Sequence, residues 1–325
     1  MSVKSRLLAA LLAAIPAVLA TAPATAAPYP ERPITMVVPF PPGGPTDLVA
    51  RVLAKQLADQ MGQSVVVENK GGANGTIGMQ AAAGAKPDGY TILYNTSSIA
   101  LSPNLYSKLA FDPEKDFTAI TSTATVPMVL LVHPSVPADT VQEFIDYARA
   151  NPGKLSYASA GAGNVTHLTA FLFAQSAKID AMHIPYRGSA PGMTDLVGGQ
   201  VHFMTNTLND SLPFIREGRV KALAITSAKR SELLPDVPTL GESVMPGFES
   251  GAWQGVVAPA GTPEEIVNRL NKEILAALKS SAVQEQLARQ GTQILGASPE
   301  EYQQYISSEI VRWGDVIRAA GVKLD

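Results

Sequence analysis

The chain of 325 residues contains no cysteine. No disulfide can staple it, and no thiolate can act as a nucleophile or complete a zinc set. The four histidines, His133, His167, His183 and His202, form no H-x-x-x-H pair. Aromatic residues make up only 6% of the chain and charged residues only 16%. The basic residues form no cluster, so nucleic acid is not an expected partner. The phosphate loop G-x-x-x-x-G-K-[ST] is absent, and "GGANGTIG" (71–78) has the wrong spacing for a dinucleotide fingerprint. "YASAG" around Ser159 is not a G-x-S-x-G nucleophile elbow. A secreted hydrolase built on Ser159 and His167 would lack a third group to orient the base. The sequence therefore points away from an enzyme, and neither a metal nor a cofactor is expected.

What is present begins with a targeting signal. Residues 1–27 open with Lys4 and Arg6, continue through an apolar run from Leu7 to Leu19, and end in Ala24-Thr25-Ala26. That order is a secretory signal peptide with an A-x-A cleavage site. The run is short for a membrane span and Pro16 interrupts it. Without Lys4 and Arg6 the chain has 23 basic against 28 acidic side chains, a formal charge of −5. No later apolar run is long enough to span a bilayer, so a periplasmic, soluble protein is expected, as a monomer.

Strand-like and helix-like segments then alternate to the end. Strands are predicted at 34–38, 64–68, 91–95, 155–159, 180–184, 201–205, 221–226 and 254–258. A helix over 46–61 gathers Val49, Val52, Leu53, Leu57 and Met61 on one side. "TPEE" (262–265) and "SPEE" (298–301) each offer an N-cap hydroxyl, proline at N1 and glutamate at N3. The alternation predicts an α/β fold with largely parallel sheets.

Two strand–glycine–helix passages suit an anion. "TMVVPFPPGGPTDLVARVL" (35–53) turns at Gly43-Gly44, and "LSYASAGAGNVTHLTAFLFAQSA" (155–177) turns at Gly161 and Gly163, with Asn164 or Thr166 to cap the helix. The first N–H groups of a helix have no intrahelical partner and carry the positive end of the dipole. They hold a carboxylate without Lys or Arg. Each hydrogen bond to an ionised oxygen contributes roughly 1.5–3 kcal/mol. Two such loops support micromolar binding, about −8 kcal/mol. Asp47 would repel a bound carboxylate unless it orders the loop or orients a water. His167, in the first turn of the second helix, is placed to touch ligand or loop. Trp253 is placed to line a cleft or cross between lobes, and Trp313 to pack.

"YPERPITMVVPFPPGGPTDLVAR", "VVVENKGGANGTIG", "AKPDGYTIL", "LSYASAGAGNVTHL", "IPYRGSAPGMTDLVGGQV", "RVKALAITSAKRSELLPDVPTLGE" and "APAGTPEEIVNRLN" run in order over nearly the whole chain. With these segments the chain resembles the substrate-binding receptors of tripartite tricarboxylate transporters, the Bug family. The resemblance implies a two-lobed type II periplasmic binding fold, a Venus flytrap with two hinge crossings, near 125–130 and 248–254. Lobe 1 would comprise 28–127 and 250–325, and lobe 2 128–249. It implies capture of a small organic carboxylate, partly through ordered waters, and delivery to membrane transporter subunits. A sensor signalling to a membrane histidine kinase is the alternative.

Ligand contacts are expected from Phe40, Gly43, Gly44, Thr46 and Asp47; from Thr96 and Ser97, with Ser98 beside them; and from Ser159, Gly161, Gly163, Asn164 and His167. Thr205 and Asn206 complete the set, and Arg187 is a candidate for the far end of a dicarboxylate. Family members often have Phe-Asp where this chain has Thr205-Asn206. The neutral Asn206 implies a ligand without an ammonium group. Citrate-like acids, C4 dicarboxylates, nicotinate-like acids and aromatic dicarboxylates all remain open.

Overall fold

In the computed structural model residues 29–324 are described, and the signal peptide expected over 1–27 lies outside them. The chain first builds β1 (Ile34–Val38), α1 (Pro45–Met61), β2 (Val65–Asn69), α2 (Thr76–Ala83), β3 (Thr91–Thr96) and α3 (Ser98–Leu105). A strand of 16 residues, β4 (Phe117–Val132), follows. The middle segment holds α4 (Val141–Ala150), β5 (Leu155–Ser159), α5 (Val165–Ser176), β6 (Ala181–Pro185), α6 (Ser189–Val197), β7 (Phe203–Thr207), α7 (Leu208–Arg216), β8 (Lys221–Ile225) and the short α8 (Leu240–Ser243). The chain returns through β9 (Gly251–Pro259), α9 (Glu264–Leu278), α10 (Ser281–Arg289), β10 (Gln293–Ile294) and α11 (Pro299–Ala320).

The strands lie in the order β2-β1-β3-β9-β4-β7-β5-β6, with β8 and β10 also paired to β4. β4 is the shared member. It pairs with β9 from Phe117 to Pro127, and with β7 from Met128 to Val132. The expectation of largely parallel sheets needs correcting. β1 runs parallel to β2 and β3, and β5 parallel to β6 and β7, but every pairing made by β4 or β9 is antiparallel. A chain that crosses on one strand and returns on its neighbour must run the two in opposite directions. The β4–β9 register slips between Ala119 and Thr121 and again between Ser122 and Ala124. Such bulges bend and re-aim a strand.

Each half-sheet is covered on both faces. Ile34 and Met36 meet Leu53, Leu57 and Leu270 on one face of the first, while Val37 and Leu93 meet Tyr302 and Ile306 on the other. In the second, Phe144, Phe173 and Phe203 pack on one face, and Met193, Leu196 and Met204 on the other. Burying sheets on both faces explains why these strands read as continuous apolar runs.

The two late helix starts differ. Ser298 accepts from Glu301 N, and the Glu301 carboxylate accepts from Ser298 N, a full capping box. At "TPEE" the N-cap is Pro263, and Thr262 Oγ1 instead donates to Pro259 O at 2.7 Å. That hydroxyl closes the turn out of β9, so it is not available to the helix. Among the described residues no helix is long and apolar enough to cross a membrane.

Candidate ligand-binding site

A cavity of about 920 Å³ opens between the two half-sheets. Its walls come from loops after β1, β2, β3, β5, β6 and β7, together with β4 and β9. On one side stand Phe40, Thr46, Asn74, Thr96, Ser97 and Ser98, and facing them Ala160, Gly161, Ala162, Asn164, Thr166 and Thr207. Val126, Ala252 and Gln254 form its floor, where the chain crosses.

The β1–α1 loop brings a helix start with no cap of its own. The N-cap is Gly44, which has no side chain to accept from the first turn, and Pro45 occupies N1. The N–H of Thr46 at N2 is therefore left for a ligand. Asp47 serves the loop from behind. It is 2% exposed, and its Oδ2 accepts from Gly43 N and Arg51 Nε, both at 2.9 Å. Asn69 Nδ2 donates to Asp47 Oδ1 at 2.8 Å and to Phe40 O at 3.0 Å. Burial pushes the Asp47 carboxyl up. The hydrogen bonds from Arg51, Gly43 and Asn69, with the Arg51 charge, outweigh it and hold the pKa below the ordinary carboxylate value. The anion on the Gly43 amide is thus the protein's own. Gly43 faces a separate cavity of about 270 Å³, and neither Gly44 nor Asp47 lines the main one.

The β5–α5 loop is tied down in the same way. Asn164 caps α5 by accepting from Thr166 N at 3.0 Å, and Thr166 Oγ1 accepts from Ala160 N at 2.9 Å. Gly161 N donates to Ser159 Oγ, and Gly163 N to His167 Nδ1, each at 3.2 Å. Gly163 has φ +71, and a Cβ there would stand 2.7 Å from Leu105 Cδ2, so no side chain fits. Ala162 lines the cavity, and its N–H has no acceptor among the described residues.

Five expected contacts lie beneath the wall. Ser159 is fully buried and meets His183 Nε2 at 2.7 Å. His167 is 4% exposed and stacks on His183, ring centroids 3.7 Å apart. Burial, with the His183 charge, pushes His167 down to about 3, and burial pushes His183 down to about 4. Both rings are neutral at pH 7, and the Gly163 N–H fixes Nδ1 of His167 as an acceptor. Gly163 completes this layer. Thr205 Oγ1 donates to Thr166 O, and Asn206 Nδ2 to Ser211 Oγ, with neither residue reaching the cavity. Thr205 lies under α5, and Asn206, on the opposite face of β7, under α7. Trp253 does not line the cavity either. It is 2% exposed and donates to Glu309 Oε2.

Of the expected contacts, the structure brings together Phe40, Thr46, Thr96, Ser97, Gly161 and Asn164 on the cavity wall, with Ser98 and Arg187. Sequence reasoning passed over Asn74 and Asp210. Asn74 has φ 53, and its Nδ2 is buried in the wall without a partner. An asparagine between glycines after a strand is the signal that marks it, because Asn tolerates left-handed backbone. Nothing local marks Asp210.

Residues 49–322 match the tripartite tricarboxylate transporter family receptor. The chain is 41% identical over 320 residues to protein BugT of Bordetella pertussis, covering 97% of this chain and 98% of BugT. Among solved structures it is similar to the periplasmic binding protein BugD, 41% identical with TM-score 0.79, covering 91% of this chain and 99% of BugD. An R. palustris protein solved with adipate is 38% identical with TM-score 0.82, covering 91% and 99%. MatC of Rhodopseudomonas palustris, solved with malate, is 38% identical with TM-score 0.77, covering 89% and 100%. The fold is the two-lobed α/β fold of these binding proteins, and the chain belongs to the tripartite tricarboxylate transporter receptor family, as a periplasmic solute-binding receptor and not an enzyme.

Proposed function

We propose that the protein captures a small organic carboxylate between its lobes and delivers it to a tripartite tricarboxylate-type membrane transporter. The observation that carries this reading is the set of free donors converging on one cavity without a lysine. Thr46 N–H at a helix start, Ala162 N–H, Asn74 Nδ2 and the Ser97 hydroxyl all face it. Neutral donors backed by a helix dipole suit an anion that must also be released. The adipate and malate held by similar proteins are anions of this kind.

Lobe 1 is read as 28–127 with 250–325, and lobe 2 as 128–249. Phe40, Thr46, Thr96 and Ser97 then serve from lobe 1, and Gly161 and Asn164 from lobe 2. Gly43, Gly44, Asp47, Ser159, Gly163, His167, Thr205 and Asn206 act behind them by holding the loops. The protein works as a monomer in the periplasm after removal of the N-terminal 27 residues.

A thermal-shift screen tests the reading, on protein unfolded and refolded to remove carried ligand. Binding to the native state alone raises stability by about 2.7 kcal/mol at a hundredfold excess over Kd. A shift with one class of mono-, di- or tricarboxylate is expected. Shifts only with sugars or amines would overturn the reading.

A further inference from the structure

Asp210 is the only acidic side chain among the described residues lining the main cavity, and Arg187 the only basic one. Neither forms an ion pair with any described residue. Asp210 is the third residue of α7, and it borders the smaller cavity as well. Thr207, the N-cap of α7, lines the same wall at 9% exposure, with its hydroxyl beside the Asp210 carboxyl. Burial raises the Asp210 carboxyl above its ordinary value, against the weaker pull of the nearby Thr207 and Ser189 hydroxyls. A carboxylate sits half-buried in the binding cavity, paired with no cation among the described residues.

The neutral pair Thr205-Asn206 implies a ligand without an ammonium group only if its side chains reach the cavity. Both are 0% exposed and bonded to the protein interior. Their neutrality says nothing about what the cavity takes, and the acid that does face it stands four residues further on.

We propose that Asp210 receives an ammonium group, so that the ligand is an amino acid bound as its zwitterion. The carboxylate lies on the helix starts and free donors described above, and the ammonium on Asp210. This inference rests on the carboxylate-receptor reading. A partly desolvated carboxylate is stabilised most by an opposite charge. A ligand hydroxyl gives it one hydrogen bond and leaves the charge. An unsubstituted dicarboxylate brings a second negative charge towards it. Arg187, on the loop after β6, is free to meet a side-chain carboxylate, which favours acidic amino acids within this class.

The test uses three sets of acids, each set sharing a carbon chain and differing only in one substituent. They are propionate, lactate and alanine; succinate, malate and aspartate; glutarate, 2-hydroxyglutarate and glutamate. Kd values are measured by titration calorimetry at pH 7 on refolded, ligand-free protein. In the set that binds best, the amino acid is expected to bind at least about tenfold more tightly than its two analogues. Asp210→Asn should bring it to within about twofold of the hydroxy acid, with the unliganded melting temperature unchanged. The wild-type ratio needs no variant and stands if Asp210→Asn fails to fold; Asp210→Ser then replaces it. Equal or tighter binding of the hydroxy or unsubstituted acid overturns the inference and leaves the carboxylate reading intact. A preference that survives in Asp210→Asn overturns the role of Asp210. Binding by none of the nine acids overturns this inference, and the carboxylate reading is then decided by the wider thermal-shift screen.

Discussion

Asp47 and the histidine pair show how single residues make a neutral binding surface. Asp47 takes the Gly43 amide that would otherwise be open to a ligand, and Arg51 and Asn69 lock it there. His167 and His183 lie stacked under the second loop and hold its Gly163 and Ser159 ends. Their identity as supports was not legible in the sequence, where a histidine in a first helical turn reads as a contact. The pair has a consequence for pH. Both folded pKa values, about 3 and about 4, lie below the ordinary 6.5. The unfolded chain takes up protons near pH 6.5 that the folded protein refuses until far lower. Their contribution to stability is therefore complete above pH 6.5 and is lost as pH falls towards 4. Denaturant titrations between pH 7.5 and 4.5 should show this loss, and His183→Gln should bind about one proton fewer on unfolding over that range. An unchanged pH slope in His183→Gln would show that the ring titrates freely in the folded protein.

The eight strands legible in the sequence were apolar runs bounded by turns, and each is found within a few residues of its expected place. β4 was not legible as a strand. "FTAITSTATVPMVLLV" begins with alternating Thr, Ala and Ser, bulges twice and contains Pro127. Only its pairing with β9 on one side and β7 on the other makes it continuous. β9 depends on that pairing at Gly255, opposite Ser122. A Cβ on Gly255 would stand 2.1 Å from Tyr302 Oη and 2.7 Å from Thr121 O. Tyr302 is fully buried and held by Asn95 at 2.9 Å, so it has nowhere to go. Gly255→Ala is expected to cost about 3 kcal/mol or more, at the upper end for overpacking. Tyr302→Phe on that background should recover only part, since the ring Cζ, 2.3 Å from the Cβ, and the Thr121 carbonyl still block the methyl. Urea unfolding of the two variants measures both effects, and near-native stability of Gly255→Ala would contradict this packing.

At the scale of the whole molecule, the sequence carried the two glycine loops because each is a local pattern. It did not place Asn74 or Asp210 at the cavity, because their approach to it depends on which half-sheet meets which. The halves meet at a shared apolar cluster, where Leu168 of α5 packs with Leu101, Leu105 and Trp313, and at hydrogen bonds beside it. Thr226 Oγ1 donates to Ser250 O at 2.6 Å, and Ser250 Oγ meets Thr169 Oγ1 at 2.6 Å where the chain crosses back. Just beyond, both tryptophans of the chain, Trp253 and Trp313, donate to Glu309 Oε2. The cavity, about 920 Å³, lies at the large end of small-molecule pockets, roughly 300–1,000 Å³. A ligand that touches both walls would favour, by differential affinity, an arrangement that brings them together. Saturating ligand should therefore reduce the radius of gyration in small-angle scattering. Tryptophan emission should change over the same concentration range, because the two indoles and their shared carboxylate sit beside the crossing. Thr46→Pro removes the N–H that α1 offers from one wall, and should weaken binding together with both signals. A radius that stays constant at saturation would mean that the ligand binds one lobe alone, and that the second loop of free donors serves something else.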